Sequence, residues 1–353
     1  MRVLFLTNSK LQHYRIPIFK LVNDAPNIEL TLAHCGKQIV QNEIPELLLK
    51  KKKIGPYYYI SGFDEIIKEY DTILCMFYLN NLSFDRAVLH KRNKKVILWG
   101  IGVPASYDRA YGDAGKLRYR LLRYFYKRSD AQLFYSDAPK KLFMEKGLPL
   151  DDDEVFIANN TVEVIKQNVD DGQKDSLLFI GTLYLEKGLQ VLLDSYKEAC
   201  SIDKEMIPIN IVGGGKQFEI IQKWVVANHL ENKINLFGPV YDLNKKAEIF
   251  KKAIACVSPQ QAGLSVLESM GYGVPFITSE NAITGGEAFN ITDGENGLRM
   301  KDVSQLKDIL LDINNNKEKY FVMGRKAYEY YWNNRTPQIM ANGIISAINY
   351  VNR

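Results

Sequence analysis

Short apolar runs alternate with amphipathic segments along the whole 353-residue chain. The apolar runs have the length of buried strands, whereas the segments between them repeat apolar residues at helical spacing. This alternation predicts an α/β fold with doubly wound parallel sheets, which bind ligands at the carboxyl ends of their strands. The pattern predicts strands at residues 2–7, 28–33, 72–77, 95–99, 131–135, 155–158, 177–180, 207–212, 234–237, 254–257 and 275–277, and helices that begin at residue 16 or cover residues 63–70, 84–92 and 115–128.

The alternation restarts after the polar turn Asn159-Asn160-Thr161. Because 353 residues exceed a typical single core, we expect two domains of roughly 150–200 residues each. No apolar run approaches the ~20 residues that span a bilayer. The apolar run at the N-terminus stops at Asn8, so it has the length of a strand and lacks the pattern of a signal peptide.

Cysteine spacing and charge indicate the cellular compartment of the protein and the classes of molecule that it binds. The four cysteines show neither metal-ligand nor disulfide spacing, which favours a reducing cytoplasm without structural zinc. Residues 1–165 carry 25 Lys and Arg against 19 Asp and Glu, whereas residues 166–353 carry 21 against 22. The basic first half indicates an anionic acceptor, an anionic membrane surface or nucleic acid. Nucleic acid is the weakest of these, because no recognised binding module accompanies the charge.

The segment 115–128 predicts an amphipathic helix with a basic stripe beside an apolar one. Such a helix can lie on an anionic bilayer, where each basic side chain adds up to ~1 kcal/mol of binding. It can equally cover a sheet and turn its charges to solvent. The run of lysines at residues 50–53 adds to the basic surface if it lies on the same face. The basic stripe consists of Lys116, Arg120, Arg123 and Lys127, and the apolar one of Leu117, Leu121 and Phe125.

The stretch 256–277 carries the most informative local pattern. An apolar strand leads through a Ser-Pro loop to Gly263, where a helix is expected to open. A helix N-terminus at the carboxyl end of a parallel strand favours a phosphate group. Glu268 lies one turn into this helix, where its carboxylate could accept hydrogen bonds from a ribose diol. The alternative is an ordinary strand–helix–strand unit with a surface glutamate.

This stretch resembles the signature of retaining glycosyltransferases of family 4, which have the GT-B fold. Glu268 matches the second glutamate of that signature, which the resemblance implies holds the donor ribose. Gly263 and Leu264 match the turn that faces the phosphates, and Ser265 follows them in the helix. Gln260 stands where the family has its first glutamate, and we expect it to contact the sugar hydroxyls.

The resemblance implies an α/β fold of the GT-B type, with two Rossmann-like parallel-sheet domains that face a cleft. We expect an acceptor-binding domain over residues 1–165 and a nucleotide-sugar-binding domain over residues 166–335. The last helix, residues 336–353, is expected to cross back onto the first domain.

A second match follows the strand at residues 177–180. Family 4 enzymes have a glycine here, then usually an arginine, and then a Lys-Gly pair whose cation contacts the donor diphosphate. Gly181 and Lys187 fit this pattern, whereas Thr182 replaces the arginine. A lone lysine at a helix start would otherwise be a solvated surface residue. The segment that resembles the border of the nucleotide base consists of Leu236, Phe237 and Gly238.

Two segments of the first half are expected on the acceptor side. A Tyr-Arg-x-Pro turn with Tyr14 and Arg15 follows the first strand, as in a bacterial subset of the family, although these side chains could also just pack the helix start. Trp99 and Ile101 belong to a tetrad that usually has a histidine at its third place. Because Ile101 occupies that place, His13 is the nearest substitute, although a lone histidine is more often solvated or structural.

The resemblance implies transfer of a sugar from a UDP- or GDP-linked donor to an acceptor hydroxyl, with retention and without a cofactor or metal. Lys187 and Gln260 are the expected catalytic residues. A glycan or polyprenyl-linked acceptor in bacterial surface-polysaccharide assembly would suit the basic first half. We expect a cytoplasmic protein at the inner face of the membrane.

Three departures from the family pattern, at Ile101, Thr182 and Gln260, keep another class open: a pseudoenzyme that binds a sugar nucleotide as a partner subunit. A sugar-nucleotide epimerase would need acidic and histidine groups around the sugar, which the motifs do not supply. A nicotinamide dehydrogenase would need a Gly-x-Gly-x-x-Gly turn after a strand, with an acidic residue at the proper distance, and the sequence has none.

Overall fold

The computed structural model of the chain describes residues 1–39, 43–105, 111–169, 172 and 174–353. It divides into two units, each built around its own parallel sheet. The first unit comprises Met1–Pro104, Gly112–Asn160 and Thr336–Arg353, and the second comprises Ala105–Tyr111 and Thr161–Arg335.

The first unit follows the alternation of strands and helices seen in the sequence. Its elements, in chain order, are β1 (Arg2–Leu6), α1 (Ile16–Asn23), β2 (Glu29–His34), β3 (Glu46–Leu48), β4 (Lys51–Ile54), β5 (Tyr57–Ile60), α2 (Phe63–Ile66), β6 (Thr72–Met76), α3 (Leu82–Leu89), β7 (Lys95–Gly100), α4 (Lys116–Tyr126), β8 (Ala131–Phe134), α5 (Ala138–Glu145) and β9 (Val155–Ile157).

Seven of these strands form a parallel sheet in the order β3-β2-β1-β6-β7-β8-β9. Its centre is apolar on both faces, as expected for a parallel sheet that helices cover on both sides. Phe5 on β1 packs against Phe19 of α1 and Trp99 of β7, with ring centroids 4.5 Å and 5.6 Å away. The predicted strands of the first half therefore all lie in one sheet.

Three of the four lysines in the run at residues 50–53 lie in a short exposed strand. Strand β4 pairs antiparallel with β5, and Lys51 lies opposite Ile60. The ammonium of Lys51 lies 4.7 Å from the ring centroid of Tyr58, and that of Lys52 lies 6.0 Å from the ring of Tyr59. Cation–π contacts thus help to hold four exposed residues of β4 in an extended conformation. Sequence periodicity missed this hairpin, because β4 carries no buried face.

The second unit repeats the alternation. Its elements are β10 (Ser176–Ile180), α6 (Leu189–Ile202), β11 (Ile209–Val212), α7 (Phe218–Ala227), β12 (Ile234–Gly238), α8 (Leu243–Lys251), β13 (Ala253–Val257), β14 (Gln261–Ala262), α9 (Ser265–Gly271), β15 (Phe276–Ser279), β16 (Ile283–Thr284), β17 (Gly297–Met300), α10 (Leu306–Asn315) and α11 (Lys317–Asn334), and α12 (Pro337–Val351) then returns to the first unit.

Six strands of the second unit form a parallel sheet in the order β12-β11-β10-β13-β15-β17. The central strands β10 and β13 are buried along their whole lengths. The order places β10 and β13 side by side, so the loops that follow these two strands leave the same edge of the sheet. These are the loops that carry the two sequence matches.

The C-terminal helix α12 completes the core of the first unit. It packs against α1 and β9, and Met340, Ile344 and Ile348 are fully buried. Gly343 permits the close approach, because a Cβ there would lie 2.2 Å from the carbonyl oxygen of Ile157.

The boundary between the units lies after Asn160 rather than after residue 165. Val164 explains the difference, because its side chain is buried in the core of the second unit and reaches the space in which a Cβ of Gly271 would stand. Among the described residues, none of the helices is both long and apolar enough to cross a bilayer.

We expect Asp85→Asn to stabilise the protein at neutral pH. Asp85 of α3 has a buried carboxylate oxygen without a hydrogen-bond partner, and burial raises the pKa of this carboxyl to about 6. Because that value exceeds the ordinary one near 4, its ionisation destabilises the fold progressively from about pH 4 to pH 6 and constantly above. Partial exposure reduces the effect, so we expect a gain of roughly 1–2 kcal/mol at pH 7.5.

Urea unfolding at pH 7.5 and pH 4 measures this gain. Asp175→Asn, which removes an exposed carboxylate outside any helix, is the matched control and should leave stability nearly unchanged. An equal gain for Asp85→Asn at the two pH values would contradict the assignment of the cost to ionisation.

Candidate functional site

The predicted donor residues of the second unit follow the carboxyl ends of neighbouring strands. Gly181 follows β10, Gly238 ends β12, and Gln260 follows β13. Since these strands are parallel members of one sheet, the residues lie along one edge of it. This is the edge at which a doubly wound sheet binds ligands.

Gly181 makes room for a cation. Its φ is +144°, and a Cβ there would lie 2.7 Å from Nζ of Lys187. The Lys187 side chain therefore folds back over the end of β10, with its ammonium 5.9 Å from the ring centroid of Tyr184. Any larger residue at position 181 would displace the ammonium.

Lys187 is buried, with 7% of its surface exposed. Burial lowers the pKa of its ammonium, and the neighbouring Cys256 and Glu268 side chains oppose that shift. The alternative of a solvated surface lysine is therefore wrong for this residue. A buried ammonium at the end of a strand is suited to an anionic ligand.

Gln260 lies beside the Lys-Gly pair. Gly188 has a φ of +69°, and a Cβ on it would lie 2.6 Å from Cγ of Gln260. The backbone carbonyl of Gln260 accepts a hydrogen bond of 2.8 Å from the amide of Ile283, which fixes the loop after β13. The loops that carry the two sequence matches are thus in direct contact.

The helix after this loop begins at Ser265, two residues after the glycine expected to open it. A Cβ on Gly263 would meet nothing within 4 Å, so open space lies in front of this residue. The Ser265 hydroxyl is buried and has no hydrogen-bond partner. An orphan donor beside open space, at the start of a helix, has the properties of a place for phosphate oxygens.

Glu268 is buried, with 7% of its surface exposed. Its Oε1 accepts a hydrogen bond of 2.7 Å from Nζ of Lys246 on α8. The alternative of a surface glutamate is therefore wrong. Sequence reasoning missed Lys246, because no motif surrounds it and an amphipathic helix regularly carries lysines. Only the fold brings α8 beside α9.

Cys256, at the end of β13, lies beside this group of charges. Burial raises the pKa of its thiol to about 12, and a hydrogen bond with Ser269 opposes the shift. The thiol is therefore neutral at physiological pH and is not an activated nucleophile. Among the described residues, no three His, Cys, Asp or Glu side chains are arranged to hold a metal ion.

The remaining residues predicted to bind the donor are more exposed to solvent. Thr182 is exposed, Leu236 is half-buried and the Phe237 ring is half exposed. Gly238 adopts a φ of +66°, and a Cβ there would meet nothing within 4 Å. An exposed aromatic ring beside an open glycine leaves space for a flat ligand.

In the first unit, Arg15 is the predicted residue with the most specific surroundings. It is 4% exposed, its Nη2 donates to the hydroxyl of Tyr135, and its guanidinium lies 4.7 Å from the ring centroid of Trp99. Tyr14 also contacts it, with 5.4 Å between the guanidinium and the ring centroid. His13 is exposed and Ile101 is half-buried.

The position expected for Trp99 is wrong. It is expected on the acceptor side, but it is 1% exposed and belongs to the core of the first unit. The reason is the fold: Trp99 lies within β7, a central strand whose two faces are both covered. It supports Arg15 from beneath and presents no surface of its own.

Helix α4 covers the sheet and also keeps an exposed apolar surface. Tyr119, Leu122 and Tyr126 are buried, whereas Leu117 is 72% and Leu121 45% exposed. The predicted stripes are thus only partly correct. Phe125 packs on Phe77 at 5.3 Å between ring centroids, and Nε of Arg123 donates to the carbonyl of Pro149. The exposed basic residues of the stripe are Lys116, Arg120 and Lys127.

A match to a family of known proteins covers most of the second unit. Residues 161–330 match the family model described as glycosyl transferases group 1. An uncharacterized glycosyltransferase of Methanocaldococcus jannaschii is 28% identical over 217 residues, which cover 59% of this chain and 57% of that protein. The chain thus matches little more than half the length of this relative.

Solved structures resemble the whole chain. The structure of Anabaena HepE in complex with UDP superposes with a TM-score of 0.74 at 13% identity, covering 99% of this chain and 100% of that one. The apo form of the lipopolysaccharide outer core galactosyltransferase WaaB superposes with a TM-score of 0.68 at 17% identity and covers 99% of both chains. These matches confirm the expected GT-B fold class and, for residues 161–330, the expected class of enzyme, a glycosyltransferase.

We expect Gly188→Ala to destabilise the protein by about 2 kcal/mol, because it forces a side chain into a left-handed backbone conformation and against Gln260. Gly263→Ala is the matched control. Its Cβ meets open space, so we expect stability within roughly 0.5 kcal/mol of the parent. Urea denaturation of the two variants measures the difference, and equal stabilities would contradict the described contact between the two loops.

Proposed function

We propose that the chain transfers a sugar from a UDP-linked donor to an acceptor hydroxyl, with retention at the anomeric carbon. The observation that carries the proposal is the group formed by Lys187, Ser265 and Glu268 at one edge of the second sheet. It combines a buried ammonium, an orphan hydroxyl and a buried carboxylate. The presence of UDP in the similar HepE structure favours uridine over guanosine.

The roles follow from the chemistry of each group. The Lys187 ammonium and the amides at Gly263 to Ser265 would bind the diphosphate and stabilise it as it leaves. Glu268, held by Lys246, would accept the hydroxyl hydrogens of the ribose, and Gln260 would orient the sugar. The bond from the anomeric carbon to the diphosphate oxygen breaks as the bond to the acceptor oxygen forms. The acceptor proton leaves with the diphosphate, so this front-face route needs no enzyme nucleophile, metal or cofactor.

For the acceptor, we propose a glycan or polyprenyl-linked glycan in surface-polysaccharide assembly at the inner face of the membrane. WaaB is named for transfer to the lipopolysaccharide outer core, and the exposed leucines and cations of α4 suit an anionic bilayer. A cavity of about 550 Å³ adjoins the start of this helix, and Lys116, Arg120 and Lys146 line it. Three cations around one cavity would attract a lipid phosphate.

A panel of UDP- and GDP-sugars, assayed for hydrolysis and transfer, identifies the donor. With that donor, Lys187→Met should lower kcat/KM by about 100-fold or more, because it removes the cation that stabilises the leaving diphosphate.

Gly263→Ala should weaken UDP binding while stability is unchanged. The control Lys197→Met, at an exposed lysine on α6, should change neither kcat/KM nor UDP binding.

The outcomes separate the two candidate functions. UDP binding without turnover in the presence of acceptor would favour the sugar-nucleotide-binding pseudoenzyme. Full activity of Lys187→Met would contradict the proposed site itself.

Removing Lys116 and Arg120 together, as Lys116→Gln with Arg120→Gln, should weaken binding to vesicles that contain phosphatidylglycerol by roughly 30-fold, at ~1 kcal/mol per basic residue. Cosedimentation measures the bound fraction. Lys197→Gln with Lys223→Gln, two exposed lysines of the second unit, is the charge-matched control. Equal binding of the two double variants would contradict a membrane role for α4.

A further inference from the structure

Four neighbouring strands of the first unit send side chains to one place at the carboxyl edge of the sheet. Arg15 follows β1, Tyr78 follows β6, Trp99 lies near the end of β7 and Tyr135 follows β8. The guanidinium lies 4.7 Å from the Trp99 ring centroid and 5.1 Å from that of Tyr135. Tyr14 closes the group beside Arg15, and Tyr78 lies near enough to interact electrostatically with both. We call these five residues the Arg15 cluster.

The guanidinium in this cluster is only partly satisfied. Nη2 donates to the Tyr135 hydroxyl, but Nη1 is buried and has no hydrogen-bond partner. Within the described ranges of the chain, none of the ion pairs includes Arg15. Arginine keeps its charge in proteins, so a full positive charge is buried here without a carboxylate.

Contacts with aromatic rings compensate such a charge only in part. A cation–π contact contributes about 0.5–2 kcal/mol, whereas a buried ion without a counter-ion costs more than that. A second cation lies at the same end of β1, where Nζ of Lys51 donates to the carbonyl of Asn8 at 3.0 Å. The carboxyl edge of this sheet therefore carries positive charge that the neighbouring protein groups do not neutralise.

The tyrosines of the cluster are only partly buried. Tyr14 and Tyr135 are half-buried and 39% of Tyr78 is exposed. Burial raises the pKa of the Tyr135 hydroxyl to about 12, so this group is neutral at physiological pH and available as a hydrogen-bond donor. A tyrosine hydroxyl can donate a hydrogen bond to an oxyanion, and the nearby guanidinium adds electrostatic attraction.

We propose that the Arg15 cluster binds an anionic oxygen group of the acceptor, a phosphate or a carboxylate, through the tyrosine hydroxyls. Arg15 is then a positioning residue that supplies the charge behind these donors. The inference rests on the proposed function, since it assigns the acceptor side of the same reaction. It narrows the acceptor class to molecules that carry a phosphate or a carboxylate.

The test titrates the full chain with inorganic pyrophosphate, with glucuronate and with glucose, each in the presence of saturating UDP. UDP occupies the diphosphate site of the second unit but leaves the sugar site at Gln260 open, so the glucose titration measures sugar binding there. We expect one of the two anions to bind more tightly than neutral glucose, and only the part of that binding that Arg15→Gln removes reports the Arg15 cluster. Binding of pyrophosphate indicates a phosphate on the acceptor, and binding of glucuronate indicates an acidic sugar.

Two variants test the residues. Arg15→Gln should weaken anion binding at least 10-fold, and Arg15→Lys, which keeps the charge, should restore part of it. Tyr14→Phe removes a half-buried hydroxyl that hydrogen-bonds with Arg15. It tests the same site if Arg15→Gln fails to fold, and it should also weaken binding. Lys10→Gln, an exposed cation before the same turn, is the matched control.

The outcomes for the two proposals are distinct. Retained UDP binding with no anion binding to the parent protein would overturn the assignment of the Arg15 cluster. Equal anion affinities of the parent, Arg15→Gln and Tyr14→Phe would overturn it as well, and would leave the cluster a purely structural one. Failure of UDP itself to bind would instead overturn the proposed function.

Discussion

The buried carboxylate of Glu268 is the group around which the second unit's site is arranged. An ionised carboxylate in the interior is stable only with cations close by. Lys246 bonds to it directly, and the buried Lys187 lies near enough to interact with it. Three elements that are distant in sequence are thereby tied to one charge. Removing the carboxylate would leave the buried Lys187 ammonium without this counter-charge.

Two glycines leave the space that site residues occupy in the loops. Position 181 requires glycine because the Lys187 ammonium occupies the space that a side chain would need. Position 188 requires glycine because Gln260 occupies the corresponding space there. Each glycine therefore follows from a neighbour that the site needs. Gly263 differs, because its surroundings in the protein are empty. A requirement for glycine there would have to come from a ligand.

The sequence predicted most of what depends on local pattern. Fully buried strands such as β10 and β13 are continuous apolar runs, and the two glycine-containing motifs lie at their ends. It did not predict Lys246, whose position depends on how α8 packs against α9. The family resemblance placed Trp99 on a ligand surface, although the predicted doubly wound sheet would cover both faces of its strand. Net charge could not separate the buried Arg15 from the exposed Lys116, although the two have opposite physical consequences.

The return of α12 to the first unit has a consequence for the order in which the chain matures. Residues of α12 fill the core beside α1 and β9, yet the ribosome adds them after the whole second unit. Until α12 has been added, the apolar face that it covers on the first unit is exposed. Exposed apolar surface makes a partly synthesised chain prone to aggregation, so this unit is vulnerable until α12 is in place.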